Sequence, residues 1–309
     1  MTGASRVLLH LIGLVVLPFV VVGVVNRTKS LWAGRKGPPI LQLADDVARL
    51  LRKRAVYSET TSFVFRRGPW VVLAASLISG FVAPFLALRS PLSFPFDFVW
   101  FAYAWGLGRI ALMLGALDTG SSFEGMGASR EATFAALVEP AFFLVAGAAC
   151  LVSHEHSFAA ILSLRANSGA PVVWFGSVVA LFILVQVECA RMPVDDPTTH
   201  LELTMVHEVM VLDHSGPDLA ALQTAGAAKL TIGLGIIATL LNPLADQRSA
   251  TAATLVNVAL ILLLAIFMGT IESLVARLQL RAVPQFIVVA LLAGSLALLA
   301  TTWGPAGGG

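Results

Sequence analysis

The chain has 309 residues, of which 57% are hydrophobic and 12% are charged, and its mean hydropathy is +0.85. This composition excludes an ordinary soluble domain and predicts an all-α, polytopic membrane protein, which we treat as one integral membrane domain over residues 1–309. The net charge of +2 gives no reason to expect a nucleic-acid partner. The two cysteines, Cys150 and Cys189, lack the spacing of metal ligands.

Eight apolar segments are long enough to span a bilayer, at roughly 20 residues each. An even number of spans places both termini on the same side of the membrane. The predicted spans are 7–25, 69–88, 96–117, 132–152, 171–187, 219–241, 252–276 and 283–302.

Lysine and arginine concentrate in the odd-numbered connections, and the first of these, residues 26–68, carries ten of them. The positive-inside rule therefore places the connections on the inner side and both termini outside. The predicted inner loops are 26–68, 118–131, 188–217 and 277–282.

The first inner loop contains an element of its own. From Ile40 to Leu51, apolar residues recur at helical spacing while Asp45, Asp46 and Arg49 take the other face. This pattern predicts an amphipathic helix in the inner membrane interface. Packing of that helix on a soluble partner is a second interpretation, and both can hold.

The second inner loop, Leu117 to Glu131, is rich in glycine and serine and is expected to be irregular. It lacks the lysine of a Walker motif, so phosphate binding is weakly supported. A loop shaped for a partner subunit is the favoured interpretation.

The third inner loop holds six of the eighteen acids and three of the six histidines. Asp196 can cap a helix that Gly216-Pro217 would end. On that helix, Glu202 and Asp213 share an otherwise apolar face, where desolvation should raise their pKa values. The alternative is a solvated helix whose acids face water.

Ionisable residues inside membrane spans are functional candidates because their burial costs free energy. Arg109, Glu139, Lys229 and Glu272 meet that description. The alternative is a local ion pair that fixes helix packing, and Glu272 is close enough to a helix end to reach the interface. His207-Glu208 lacks the second histidine of a zincin motif, so neither a metal site nor a catalytic residue is expected.

Two motifs resemble a known family. Gly34-Arg35-Lys36-Gly37-Pro38 and the E-x-x-R-x-P-x-D segment from Glu188 to Asp195 are similar to the membrane protein of NADH-quinone oxidoreductase that is called complex I subunit 1. Two longer blocks, Leu117 to Ala141 and Pro193 to Gly216, resemble the branch found in hydrogenase-4 and formate hydrogenlyase, the energy-converting [NiFe] hydrogenases. Thr198, Thr199 and His200 stand where the complex I branch usually carries acids, which argues against a quinone substrate.

The resemblance implies a non-catalytic membrane subunit that couples a peripheral redox module to proton or sodium translocation by antiporter-like subunits. The ion pathway that it implies comprises Glu139, Glu188, Asp195, Glu202, Glu208 and Asp213, to which burial adds Lys229. The residues expected to dock the redox module are Arg35, Lys36, Asp45, Asp118, Glu124, Arg130, Glu131 and Arg191.

The resemblance also implies partners and cofactors. This chain is expected to bind no cofactor itself, whereas hydrogenase-like large and small subunits and an iron–sulfur subunit would carry [NiFe] and iron–sulfur clusters. The expected location is a prokaryotic cell membrane. The alternatives are the quinone-site subunit of a complex I enzyme, a stand-alone ion transporter and a passive anchor; charges concentrated toward the inner side fit a docking surface better than a transporter.

Overall fold

The computed structural model describes residues 3–87, 90–162, 171–195, 205–244 and 250–303. Within these ranges the chain forms eleven helices and no strand, so the all-α prediction is confirmed. The helices are α1 (Gly3–Trp32), α2 (Gln42–Leu51), α3 (Phe63–Val82), α4 (Asp97–Asp118), α5 (Ser122–Ser153), α6 (Phe158–Ile161), α7 (Pro171–Glu188), α8 (His207–Val211), α9 (Gly216–Leu241), α10 (Ala250–Leu274) and α11 (Val283–Trp303).

Seven helices in the described part of the chain are long and apolar enough to cross a membrane, which makes this a multi-pass membrane protein. They are α1, α4, α5, α7, α9, α10 and α11. The remaining long helix, α3, is the counterpart of the predicted span 69–88. It begins earlier, at Phe63, and therefore includes the exposed Arg66 and Arg67, which lower its apolar character.

Helix α9 is the centre of the bundle. It packs against α1, α2, α3, α7 and α10, and most of its side chains are buried. A second group of close contacts joins α11 to α5 and α7, and α3 pairs along its length with α4. Buried leucine, isoleucine, valine and phenylalanine side chains form a continuous core between these helices.

The amphipathic helix predicted between Ile40 and Leu51 is confirmed as α2, none of whose residues is fully buried. It lies against α9 and α1. The chain leading into it crosses α1 at Gly23, where a side chain would overlap the carbonyl oxygen of Ile40. The position of α2 therefore depends on a glycine in the middle of α1.

The expectation of an irregular loop over 118–131 is wrong, because α5 begins at Ser122 and continues without a break to Ser153. Gly120 takes a left-handed turn conformation before the helix, whereas Gly127 serves close helix packing. A Cβ at Gly127 would lie 2.9 Å from the carbonyl oxygen of Val206, in the segment that leads into α8.

The third inner loop is also different from the prediction. Residues 196–204, including Asp196 and Glu202, lie outside the described residues. In the described remainder, helix α8 ends at Val211, and Asp213 follows it as an exposed residue. The expectation that Asp213 lies on an apolar helical face is therefore wrong, because the helix stops two residues before it.

Candidate functional site

Five ionisable side chains from four helices meet inside the bundle, and we call them the charged cluster. Arg109 of α4 is its centre: Nη1 lies 2.9 Å from Oε1 of Glu139, and Nε lies 3.6 Å from Oε1 of Glu131, both on α5. Nη2 of Arg109 also pairs with Oε1 of Glu188, at the end of α7. Lys229 of α9 completes the chain with Nζ 2.8 Å from Oε2 of Glu188.

Burial differs strongly within the charged cluster. The Arg109 and Glu188 side chains are 5% and 6% exposed, whereas that of Glu139 is 46% exposed. Buried ions are stable only when they are paired and hydrogen-bonded, which the two oxygens of Glu188 achieve with two different cations. Lys229 also lies 5.1 Å from the centroid of the Trp105 ring, a cation–π contact.

The charges within the charged cluster do not balance. Two cations, Arg109 and Lys229, face three carboxylates. Glu131 is the least closely paired of the three, with its nearest cationic nitrogen 3.6 Å away. Close carboxylates in a low dielectric cannot all be ionised at low cost. A proton on one of the three carboxylates would remove the excess negative charge of the charged cluster.

Two cavities meet at the charged cluster. The aromatic cavity, of about 40 Å³, is lined by Phe101, Trp105 and Phe142 together with Glu139 and Glu188. The Arg109 side chain also lines it.

The polar cavity, of about 30 Å³, is lined by Glu131, Glu188, Lys229 and His207, and again by Arg109. Arg109 and Glu188 therefore form a charged partition with a cavity on each side. Movement of a charge through this partition requires rearrangement of these ion pairs.

Asp195 anchors the segment that contains α8. Its Oδ1 lies 2.8 Å from Nη2 of Arg277, and its Oδ2 accepts hydrogen bonds from the backbone N–H groups of Val206 and His207, both at 3.0 Å. The side chain is 1% exposed. Asp195 thus fixes the start of α8.

Glu272 of α10 forms a second buried centre of charge. Its carboxylate, which is fully buried, lies 3.0 Å from Nζ of Lys29 and 3.4 Å from Nη1 of Arg191. The expectation that Glu272 reaches the interface from the end of α10 is therefore wrong. Glu272 ties α1 and α10 to the segment after α7.

The residues expected to dock a redox module divide into two groups. Arg35, Lys36 and Asp45 are exposed around the start of α2. The others are engaged or buried inside the protein. Asp118 Oδ2 accepts hydrogen bonds from the backbone N–H groups of Ser62 and Phe65 at the start of α3, and Arg130 donates one to the carbonyl of Met205. Glu131 belongs to the charged cluster, Arg191 pairs with Glu272, and Glu124 is 3% exposed.

The remaining ion-pathway candidates lie away from the charged cluster or outside the described residues. Glu208 lies in α8 and is half-buried, and Asp213 is exposed. Glu202 falls in the connection that the structure does not describe. Glu139, Glu188 and Lys229 are the pathway candidates that the fold brings together.

Sequence reasoning missed His207 as a site residue. It lines the polar cavity, and burial, followed by the nearby Lys229 ammonium, lowers its pKa to about 4. The signal available in the sequence was its place in a segment dense in ionisable residues between two membrane helices. His214, whose pKa burial also lowers to about 4, instead stacks on Phe65 with ring centroids 4.0 Å apart.

Two proteins of Escherichia coli are similar to this chain over most of its length. Hydrogenase-4 component C of Escherichia coli (strain K12) is 26% identical over 258 residues, which cover 82% of this chain and 80% of that protein. Formate hydrogenlyase subunit 4 of the same strain is 25% identical over 272 residues, which cover 85% of this chain and 87% of that protein.

A solved structure has the same fold. A chain of the membrane-bound sulfane sulfur reductase, an archaeal respiratory membrane complex, matches with a TM-score of 0.76 and 18% identity, covering 95% of this chain and 98% of that one. The resemblance inferred from the two motifs and the two longer blocks is confirmed. The family model for NADH dehydrogenase matches residues 5–303, and this chain therefore belongs to that family.

Proposed function

We propose that this chain is the membrane subunit that couples a peripheral redox module to ion translocation by antiporter-like subunits. The observation that carries the proposal is the charged cluster, a set of buried ionisable groups with a cavity on each side. A passive anchor would not need such groups, whose burial costs free energy. Similarity to hydrogenase-4 component C and formate hydrogenlyase subunit 4 supports a redox module of the hydrogenase type.

The physical basis of coupling is the linked titration of close carboxylates. Glu188 shares its two oxygens between Arg109 and Lys229, so a proton that binds this carboxylate changes the field at both cations. Glu139 pairs with the other side of Arg109, and its side chain is half exposed at the bundle surface. We place the exit of the pathway toward partner subunits at Glu139, and we keep Glu202, Glu208 and Asp213 as proposed members of its approach.

Asp195 has a different role in this proposal. Its carboxylate is engaged by Arg277 and by two backbone N–H groups, so its function is to hold the start of α8 in place. The docking surface for the redox module is the exposed region around Arg35, Lys36 and Asp45. Its charges are free to pair with a soluble subunit.

The metal centres belong to partner subunits in this proposal. The chain has two cysteines, fewer than the four ligands of a typical iron–sulfur cluster. The expected assembly comprises hydrogenase-like large and small subunits with [NiFe] and iron–sulfur clusters, an iron–sulfur subunit and antiporter-like subunits. It lies in a prokaryotic cell membrane, where α3 is the eighth crossing and both termini of this chain are outside.

Purification of the native complex through a tag on this chain tests the proposal. We expect nickel, iron and a hydrogenase-type large subunit to copurify. Copurification of NADH-binding subunits would favour the quinone-site subunit of a complex I enzyme, and recovery of the chain without partners would favour a stand-alone transporter. Either result contradicts the proposed function.

A further inference from the structure

His207 places an imidazole in the polar cavity beside the charged cluster. The same cavity is lined by Glu131, Glu188 and Lys229. We propose that His207 relays protons between water in this cavity and the carboxylates of the charged cluster. The inference rests on the proposed function, and it adds the residue and the ion.

The position of the imidazole is fixed from two sides. Asp195 accepts the backbone N–H of His207 at 3.0 Å, and Asp195 is itself held by Arg277 at 2.8 Å. On the other side, α8 packs against α5 at Gly127, where a side chain would collide with Val209. These contacts hold the backbone of His207 in place, and the residue lines the polar cavity.

Among the residues that the structure describes, none forms a hydrogen bond with this imidazole, although its backbone N–H is bonded. The residue is half-buried and lines a cavity of about 30 Å³. A cavity of this size with several polar groups in its wall can hold water.

The charge state of the ring suits a relay. The charged groups that act on His207 are Lys229, Asp195 and Glu188, and burial with the Lys229 ammonium outweighs the two carboxylates and lowers its pKa to about 4. The imidazole is therefore neutral near pH 7. In that state one ring nitrogen accepts a proton and the other donates one.

For each proton that the ring takes up it releases one, so the ring is neutral before and after the transfer. An excess proton carried by water binds the unprotonated nitrogen, and the proton on the other nitrogen leaves through water to a carboxylate. The ring ends neutral as its other tautomer, and rotation restores the starting state. Glu131 is the natural acceptor because it is the carboxylate of the charged cluster with the most distant cation, at 3.6 Å.

The test uses the native complex in sealed vesicles, driven by a reduced viologen dye, with ion uptake measured against turnover. His207→Ala should lower the ratio of protons moved to turnover about tenfold or more, on the scale of losses when a proton-transfer group is removed. Added imidazole should restore part of that ratio, since it can occupy the vacated space. Glu131→Gln should lose coupling too, and imidazole should not restore it.

The outcomes separate the two levels of inference. Wild-type turnover without ion uptake overturns the proposed function itself. Wild-type proton uptake with a normal ratio in His207→Ala overturns the relay, and so does a loss that imidazole fails to restore, because that result indicates a packing role. Uptake of sodium in place of protons by the wild type also overturns it.

A second variant keeps the relay testable if the alanine variant does not assemble. His207→Gln keeps side-chain volume and hydrogen bonding but cannot exchange protons between two nitrogens. We expect it to assemble and to lose coupling. A normal ratio in this variant overturns the relay.

Discussion

Lys229 and Glu188 form an ion pair of 2.8 Å between the middle of α9 and the last residue of α7. Because Glu188 also pairs with Arg109, one carboxylate contacts two buried cations. Lys229 and Arg109 would otherwise repel each other across the partition between the two cavities. Glu188 is thus both a candidate for charge transfer and the residue that makes the charged cluster stable.

Glu188→Gln is expected to destabilise the complex. The amide keeps the shape of the side chain but removes the charge that two buried cations need, and breaking a buried pair costs about 3–5 kcal/mol. Thermal unfolding of the purified complex should show a clear decrease in the midpoint. Glu155→Gln, at an exposed position after α5, is the control and should unfold like the wild type. Equal midpoints for the two variants would contradict the pairing.

The intramembrane part of the charged cluster could be predicted from sequence because its members break long apolar segments. Arg109, Glu139 and Lys229 stand out for that reason alone. Their pairing could not be predicted, since Arg109 contacts residues 30 and 79 positions away. Which carboxylate meets which cation depends on how four helices pack, and a single sequence does not report this.

Glu131 shows a second limit of sequence reasoning. It follows a glycine- and serine-rich stretch, which favoured an exposed loop and a docking role. In the structure, α5 instead begins at Ser122 and includes most of this stretch. Its Gly127 allows α8 to pack closely against the helix. Small residues in a membrane protein indicate close helix contact as readily as they indicate turns.

Gly23→Ala is expected to displace the segment that leads into α2. The added methyl group would overlap the carbonyl oxygen of Ile40 and lie 2.9 Å from its Cα, so backbone rather than a flexible side chain must move. Limited proteolysis between residues 34 and 41 should become faster, with a lower yield of assembled complex. The matched control is Gly147→Ala in α5, where nothing lies within 4 Å of the new methyl group. Unchanged cleavage in Gly23→Ala would show that α2 does not depend on this contact.

His207 and His214 are expected to stabilise the folded state less as the pH decreases below about 6.5. Burial lowers the pKa values of His207 and His214 to about 4, below the value of 6.5 for an exposed histidine. Between these values the two histidines bind more protons in the unfolded state than in the folded state, so their contribution to the free energy of unfolding rises with pH across this window. From pH 6.5 down to 5, the unfolding midpoint of the wild type should therefore fall relative to that of a variant that lacks one of these histidines.

His214→Phe isolates one of these two histidines. Phenylalanine keeps the stack on Phe65, whose centroid lies 4.0 Å from that of the imidazole, but it cannot bind a proton. The variant should lose part of the pH dependence while its midpoint at pH 7.5 changes little. A pH dependence identical to that of the wild type would contradict burial of an ionisable His214.

The orientation of the chain is expected to follow its basic residues. Cysteine placed at the exposed Arg35, in the most basic connection, should be protected from an impermeant thiol reagent in intact cells. Cysteine at the exposed Glu155, beyond the other end of α5, should be labelled. Labelling of membranes opened by detergent is the control, because both positions should then react. The reverse pattern in intact cells would invert the orientation.

Glu139→Gln is expected to separate ion movement from redox turnover. Its Oε1 lies 2.9 Å from Nη1 of Arg109, and an amide oxygen can accept the same hydrogen bond, so the variant should assemble. Removing the charge of the half-exposed Glu139 should destabilise the protein less than removing that of buried Glu188, which also pairs with Lys229. The amide cannot carry a proton or a negative charge, so ion uptake into vesicles per hydrogen formed should fall sharply while hydrogen evolution from an artificial donor persists. Glu139→Asp is the informative companion, because it keeps the charge on a shorter side chain and should retain part of the ratio. If the glutamine variant moves ions at the normal ratio, Glu139 only fixes Arg109 in place and the pathway must leave the charged cluster elsewhere.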